Sequence, residues 1–164
     1  MMDMRNSAEL LYGQDGPDQR ASDVYRALPV KLHQTREAFA NAFRPIFLQY
    51  DLTDPQWRVL RILGAVEEID TAALAKRSLL LGPSLSRILR DLHERSLISR
   101  RTSEDDARRF FHAITAEGRS LIDKITPRFT PLYERIAEQM GEDEIATLNG
   151  LLDKVAAIVS AAGD

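Results

Sequence analysis

Residues 82–92 read Gly82-Pro83-Ser84-Leu85-Ser86-Arg87-Ile88-Leu89-Arg90-Asp91-Leu92, and the fold is decided by how they are folded. Pro83 suits a first helical turn, where its missing N–H is no loss. Leu85, Ile88, Leu89 and Leu92 recur at steps of three and four, which places them on one face of a helix. Ser84, Arg87 and Asp91 fall on the opposite face, with Ser86 and Arg90 beside them. Such a helix buries its leucines against a neighbour and presents hydroxyls and guanidiniums outward. Just upstream, Asp70 or Thr71 is placed to cap a short helix containing Ala72, Ala73, Leu74 and Ala75. Its small side chains suit close packing of the two helices.

Downstream, Leu97-Ile98-Ser99-Arg100 and Phe110-Phe111-His112-Ala113-Ile114 are short β-like runs around the polar loop Ser103 to Arg109, the pattern of a hairpin. Two helices followed by a hairpin predict a mainly α fold with a small β-hairpin wing: a winged helix-turn-helix, joined to a helical dimerisation region. In that motif the second helix enters the DNA major groove. Hydroxyls donate to phosphates or bases, and arginine bonds guanine O6 and N7 in pairs. Ser84, Ser86, Arg87 and Arg90 are therefore the candidate contacts on the helix. On the hairpin, Arg108 is placed to enter a narrow minor groove, and Asp106, two residues earlier, to hold its guanidinium through paired hydrogen bonds. Arg101 and Arg109 complete the candidate DNA contacts. A solvated helix face would explain Ser-x-Ser-Arg alone, but it does not explain helix and wing together.

Composition agrees. The formal net charge is −3, yet Lys76 to Arg109 holds nine basic residues against five acidic ones, a local +4 in a chain that is otherwise −7. An acidic protein with one basic segment suits a local anionic ligand. The absence of cysteine excludes disulfides, thiolate metal sites, cysteine nucleophiles and thiol redox sensing. His33, His93 and His112 sit on three separate elements, and neither metal-ligand spacing nor a Gly-rich phosphate loop is present. No metal, cofactor or enzymatic activity is expected. Without a bilayer-length apolar run, and with no apolar core in Met1 to Arg26, the expectation is a soluble cytoplasmic protein.

Working outward, residues 1–24 read as a mobile polar tail. An apolar stripe from Val30 to Phe47 predicts a first helix, kinked at Pro45 and ending near Tyr50. Thr53-Asp54-Pro55-Gln56 starts a second helix running to about Val66. Thr115 begins a fifth, which Pro127 and Pro131 should prevent from being straight and which Gly141 ends; a sixth carries Ile145, Leu148, Leu151, Leu152, Val155, Ile158 and Val159. Residues 51–114 are the expected DNA-binding domain, flanked by helical segments at 25–50 and 115–162. A lone domain would expose the apolar seam of the sixth helix, and the resemblance described next makes both segments the expected dimerisation region.

Asp106-x-Arg108, followed by Ile114-Thr115-x-x-Gly118, resembles the wing signature of the MarR-type regulators. Leu97-Ile98-x-Arg100 and Pro83-Ser84-Leu85-Ser86-Arg87-Ile88-Leu89 fit the same family, over roughly Val30 to Val159. Phe43-Arg44-Pro45-Ile46 and Leu52-Thr53-x-x-Gln56-Trp57-Arg58 resemble the branch that controls homoprotocatechuate, an aromatic acid, in degradation operons. The resemblance implies a homodimer on a pseudo-palindromic double-stranded operator, in most cases a repressor, released by a small aromatic carboxylate and not attached to a membrane. Ser96 departs from it, standing where the family commonly has glycine after the recognition helix.

An effector of that class needs an apolar slot and a cation. Phe39, Phe43 and Trp57 are candidate walls; His33, Arg36 and Arg61 are candidate charges. Taken singly, each of these residues is better accounted for by core packing, for the aromatics, or ordinary solvation, for the charges. The competing function is a winged-helix protein–protein interaction module without DNA binding. Such a module has no need of arginines on both the recognition helix and the wing.

Overall fold

The computed structural model describes residues 17–162. In chain order it runs α1 (Pro17–Leu48), α2 (Asp54–Gly64), β1 (Ile69–Asp70), α3 (Thr71–Ser78), α4 (Gly82–Glu94), β2 (Ile98–Thr102), β3 (Phe110–Ile114), α5 (Ala116–Ile125), a 3-10 turn (Thr126–Arg128), α6 (Thr130–Met140) and α7 (Glu142–Ala161). The chain divides into two compact units, one ending at Asp54 and the other beginning at Pro55.

In the first unit, α1 begins at Pro17, so the last part of the stretch read as a tail is helical; the rest of that stretch lies outside the described residues. The helix continues through both Pro29 and Pro45. It carries a ladder of rings at four-residue steps, Phe39 to Phe43 at 5.8 Å and Phe43 to Phe47 at 6.4 Å between centroids. The chain then turns back. Asp51 takes a left-handed φ of 50°, and the Leu52 N–H donates to the Phe47 carbonyl at 3.0 Å, ending the helix two residues before Tyr50.

The second unit is built around wholly buried aliphatic side chains: Val59, Leu60 and Leu63 from α2, Leu74 from α3, Leu85 and Leu92 from α4, and Ile125 at the end of α5. Leu89 and Ile98 are buried beside them; of the predicted stripe, Leu85, Leu89 and Leu92 are buried and Ile88 is half-buried. The sheet is antiparallel, in the order β1-β3-β2. β2 and β3 form the expected hairpin, with Ile98 opposite Ile114 and Thr102 opposite Phe110. The third strand, β1, is only two residues long and pairs Ile69 with His112 and Asp70 with Phe111. A run that short carries no alternation to betray it in sequence.

Local chemistry sets the joints. Asp70 caps α3, its Oδ1 accepting from the Ala73 N–H at 2.9 Å. α4 ends in a Schellman closure: the Ser96 N–H donates to His93 and the Leu97 N–H to Leu92, both at 2.9 Å. Ser96 sits there at φ 58°, the left-handed backbone that favours glycine, so the turn is kept with a residue that strains it. Thr115 caps α5 by accepting from the Gly118 N–H at 3.0 Å, and its own hydroxyl donates to the Ser96 carbonyl at 2.8 Å. A Cβ on Gly118 would lie 2.1 Å from the Leu97 carbonyl oxygen. The Thr-x-x-Gly spacing is therefore a steric requirement, fixing the hairpin's first strand against the start of α5.

The fifth helical pattern resolves into three pieces, and Pro127 and Pro131 occupy the first turns of the second and third. Proline tolerates that position because its N–H would be unpaired anyway. Gly141, at φ 77°, separates α6 from α7. No residue of α7 is buried, and Leu148, Leu151, Leu152, Ile158 and Val159 are exposed along it. Among the described residues no helix is long and apolar enough to cross a membrane.

Candidate nucleic-acid interface

α4 presents what its periodicity predicts. Over the buried ridge of Leu85, Leu89 and Leu92, the residues Ser84, Ser86, Arg87 and Arg90 are all exposed. Asp91, half-buried, does not point out with them; its Oδ2 accepts from Gln56 Nε2 of α2 at 2.6 Å and lies 3.6 Å from Arg95. A second link runs from α2 to the end of α3, Arg58 donating to the Ser78 carbonyl at 3.1 Å. α2 is thus hydrogen-bonded to both helices of the helix-turn-helix.

The wing tip has the expected arrangement. Its loop closes through Ser103 N–H to Arg109 carbonyl and Arg109 N–H to Asp106 carbonyl, both at 2.9 Å. Asp106 Oδ1 accepts from the Arg108 backbone N–H at 3.0 Å and from its Nε at 3.2 Å, while Oδ2 faces Nη2 at 3.5 Å. These bonds, the backbone N–H first and the guanidinium second, hold the Asp106 carboxyl below the usual carboxylate range. The Arg108 side chain is 91% exposed. It is a cation braced from behind and turned outward.

Arg101 and Arg109 are placed differently. Arg101 makes a two-pronged bond to Glu68, with Nε to Oε2 at 2.8 Å and Nη2 on Oε1. Arg109 reaches Asp70 Oδ2 at 3.4 Å. Both guanidiniums lie over the ring of Phe111, at 4.5 and 5.6 Å from its centroid. Glu68 is held ionised chiefly by the Arg101 hydrogen bonds, Asp70 chiefly by the Ala73 N–H, then by the Ala72 N–H and by Arg109. These two arginines fasten the hairpin to the segment around β1. Sequence reading placed Asp70 as a cap and missed both anchors, since each spans more than thirty residues of chain.

Between α4 and the sheet is a cleft of about 430 Å³, bordered by Ser86, Arg90, His93, Arg100 and Phe110. His112 is buried beneath it, at 4% exposure. Thr71 gives its hydroxyl proton to the Phe110 carbonyl, so His112 Nε2 is the donor in its 3.0 Å bond to Thr71. Its Nδ1 has no hydrogen-bond partner among the described residues. Burial, then the nearby Arg100 and His93, hold this imidazole below its ordinary pKa.

The candidate effector residues fall in both units. On α1, Phe43 stacks between Phe39 and Phe47, Arg36 bonds Glu37 at 2.7 Å, and His33 is exposed. In the second unit Trp57 packs on Phe129 at 5.4 Å, with the Arg61 guanidinium 5.8 Å from the indole centroid. That pair combines an aromatic wall with a cation.

Comparison with known proteins gives a consistent result. Residues 50–109 match the MarR family. The chain is 34% identical over 137 residues to the HTH-type transcriptional regulator FarR of Neisseria gonorrhoeae, covering 84% of this chain and 94% of FarR. It is 32% identical over 135 residues to the homoprotocatechuate degradative operon repressor of Escherichia coli, covering 82% and 91%. Among solved structures, NadR in complex with 4-hydroxyphenylacetate superposes with a TM-score of 0.72 at 36% identity, covering 79% of this chain and 92% of that one.

Proposed function

This chain belongs to the MarR family, and from that premise we propose that it is a dimeric, sequence-specific DNA-binding regulator, a repressor released from its operator by a small aromatic carboxylate. The observation that carries the reading is the pairing of two outward-facing elements on one unit. α4 exposes Ser84, Ser86, Arg87 and Arg90 over a buried leucine ridge, and the wing exposes Arg108 with Asp106 behind it. The first has the chemistry of major-groove readout and the second that of a minor-groove cation. Arg101 and Arg109 join this surface as secondary contacts, their charge already shared with Glu68 and Asp70.

Dimerisation is supported by the apolar residues left exposed along α7, which a lone chain would present to water. In this reading residues 51–114 bind DNA, and 25–50 with 115–162 pair two chains, placing two α4 helices on the halves of a pseudo-palindrome. The effector is assigned from the kinship with the homoprotocatechuate repressor and with NadR, whose bound molecule is 4-hydroxyphenylacetate. Trp57 and Arg61 are the pair best suited to its ring and carboxylate; Phe39, Phe43, His33 and Arg36 complete the candidate set. Its place of work is the cytoplasm, with the DNA.

Mobility shift on the intergenic DNA upstream of the protein's own gene, with and without 4-hydroxyphenylacetate, tests the reading. A complex that forms without the acid and dissociates with it is the expected result. No complex on any natural upstream DNA would end the DNA-binding reading; a complex indifferent to aromatic acids would end the effector assignment alone.

A further inference from the structure

The turn between α3 and α4 reads Leu79-Leu80-Leu81, and only the middle leucine is even half-buried. Leu79 is 85% exposed and Leu81 80%, the two most exposed large apolar side chains among the described residues. Folding does not explain either one. Leu79 takes a left-handed φ of 54°, where a side chain is a liability, and what it supplies to the turn is a backbone N–H on the Ala75 carbonyl. Leu81 occupies the N-cap of α4 without a side-chain hydrogen bond, where serine, threonine or aspartate would stabilise the helix.

Their surroundings narrow the partner. From Thr71 to Arg90 the chain has four basic residues, Lys76, Arg77, Arg87 and Arg90, and no acidic one. Two leucines on so cationic a segment, at the leading end of α4, suit a partner that is polyanionic outside and apolar at discrete points within. Duplex DNA meets that description: the phosphates supply the charge, and the thymine 5-methyl is the apolar group on the major-groove floor. We infer that Leu81, with Leu79 two residues before it, reads thymine 5-methyl groups at the outer bases of each half-site. The inference rests on the DNA-binding reading above and adds to it a specificity determinant that is not a hydrogen bond.

The experiment removes the methyl and nothing else. Duplexes selected from a random pool by the full-length protein are resynthesised with single thymines replaced by deoxyuridine, symmetrically in both half-sites. At one thymine per half-site, wild-type affinity should drop about fifteenfold, about fourfold for each buried methyl. Leu81→Ala should bind the unmodified duplex with a similar loss and be indifferent to deoxyuridine at that position. Leu79→Gly should keep or raise the melting temperature while weakening binding, the reverse of what a structural leucine would do. Wild-type affinity unchanged by every replacement, or Leu81→Ala retaining the full methyl penalty, overturns the inference. If no duplex is selected at all, the DNA-binding reading falls first, and the two failures stay distinguishable.

Discussion

Arg108 at the tip of the wing and Arg101 and Arg109 where its strands meet the loop are the same side chain on one hairpin, each set against a carboxylate. The tip pair is made within a single loop, Asp106 to Arg108, and leaves the guanidinium almost entirely in solvent. The other two pairs join β2 and the last residue of the loop to Glu68 and Asp70, and place both cations over Phe111. A local brace fixes the direction of a charge without linking it to the rest of the protein. A long-range brace does the opposite: it holds the hairpin in place and sets the cation against a carboxylate of another element. On the proposed reading, Arg108 is therefore expected to be the principal DNA contact of the wing, and Arg101 and Arg109 secondary ones.

The comparison breaks most visibly at Phe111. Phe111→Ala removes the surface under two cations at once, with an expected loss of about 2 kcal/mol of folding stability, read as a lower melting temperature. Arg108→Ala should show the converse pattern: operator affinity down about tenfold, a shallower salt dependence, and an unchanged melting temperature. Asp106→Ala should follow it more weakly, leaving the cation present but undirected. Equal behaviour of Phe111→Ala and Arg108→Ala in both assays would erase the distinction between the tip cation and the anchoring ones.

A subtler difference lies in pH. The folded protein disfavours protonation of His112 in the middle of β3, so its pKa lies below the ordinary 6.5, and the unfolded chain binds that proton more readily. Stability should therefore be complete above about pH 6.5 and fall as pH drops from there toward the depressed value, by no more than about 1.4 kcal/mol per pH unit. His112→Gln should flatten that slope in thermal melts between pH 7 and 5. The tip should be insensitive over the same range, because the Asp106 carboxyl is held below its usual value of 3.8 and stays ionised. The smallest effect is expected from Glu68→Gln, an exposed pair in which the neutral amide still accepts a bond: a slight loss of melting temperature and no change in operator affinity.

What could be read from sequence follows the same division. The α4 ridge shows because helical burial repeats every three or four residues, and Asp106-x-Arg108 shows because both partners fit in one window. Ser96 stands out against an expected glycine, and its left-handed backbone gives the physical reason. Glu68 and Asp70 as wing anchors could not be seen, since nothing local distinguishes a carboxylate that will meet an arginine more than thirty residues later. β1 escaped for want of length. Gln56 reads in sequence only as part of the start of a helix, and its bond to Asp91 depends on how two helices cross, which no local pattern encodes.

That bond, taken with Arg58 on the Ser78 carbonyl, has a consequence for how the protein can be regulated. Both donors leave one turn of α2, on either side of Trp57, and bond to α4 and α3 separately. A push on α2 is therefore expected to carry them as a single piece, like a reading head moved on its arm, without prying one from the other. On the proposed reading, the bases sought would stay the same while the strength of the grip changes. Regulation through this helix would work as a volume control and leave the spelling of the operator alone.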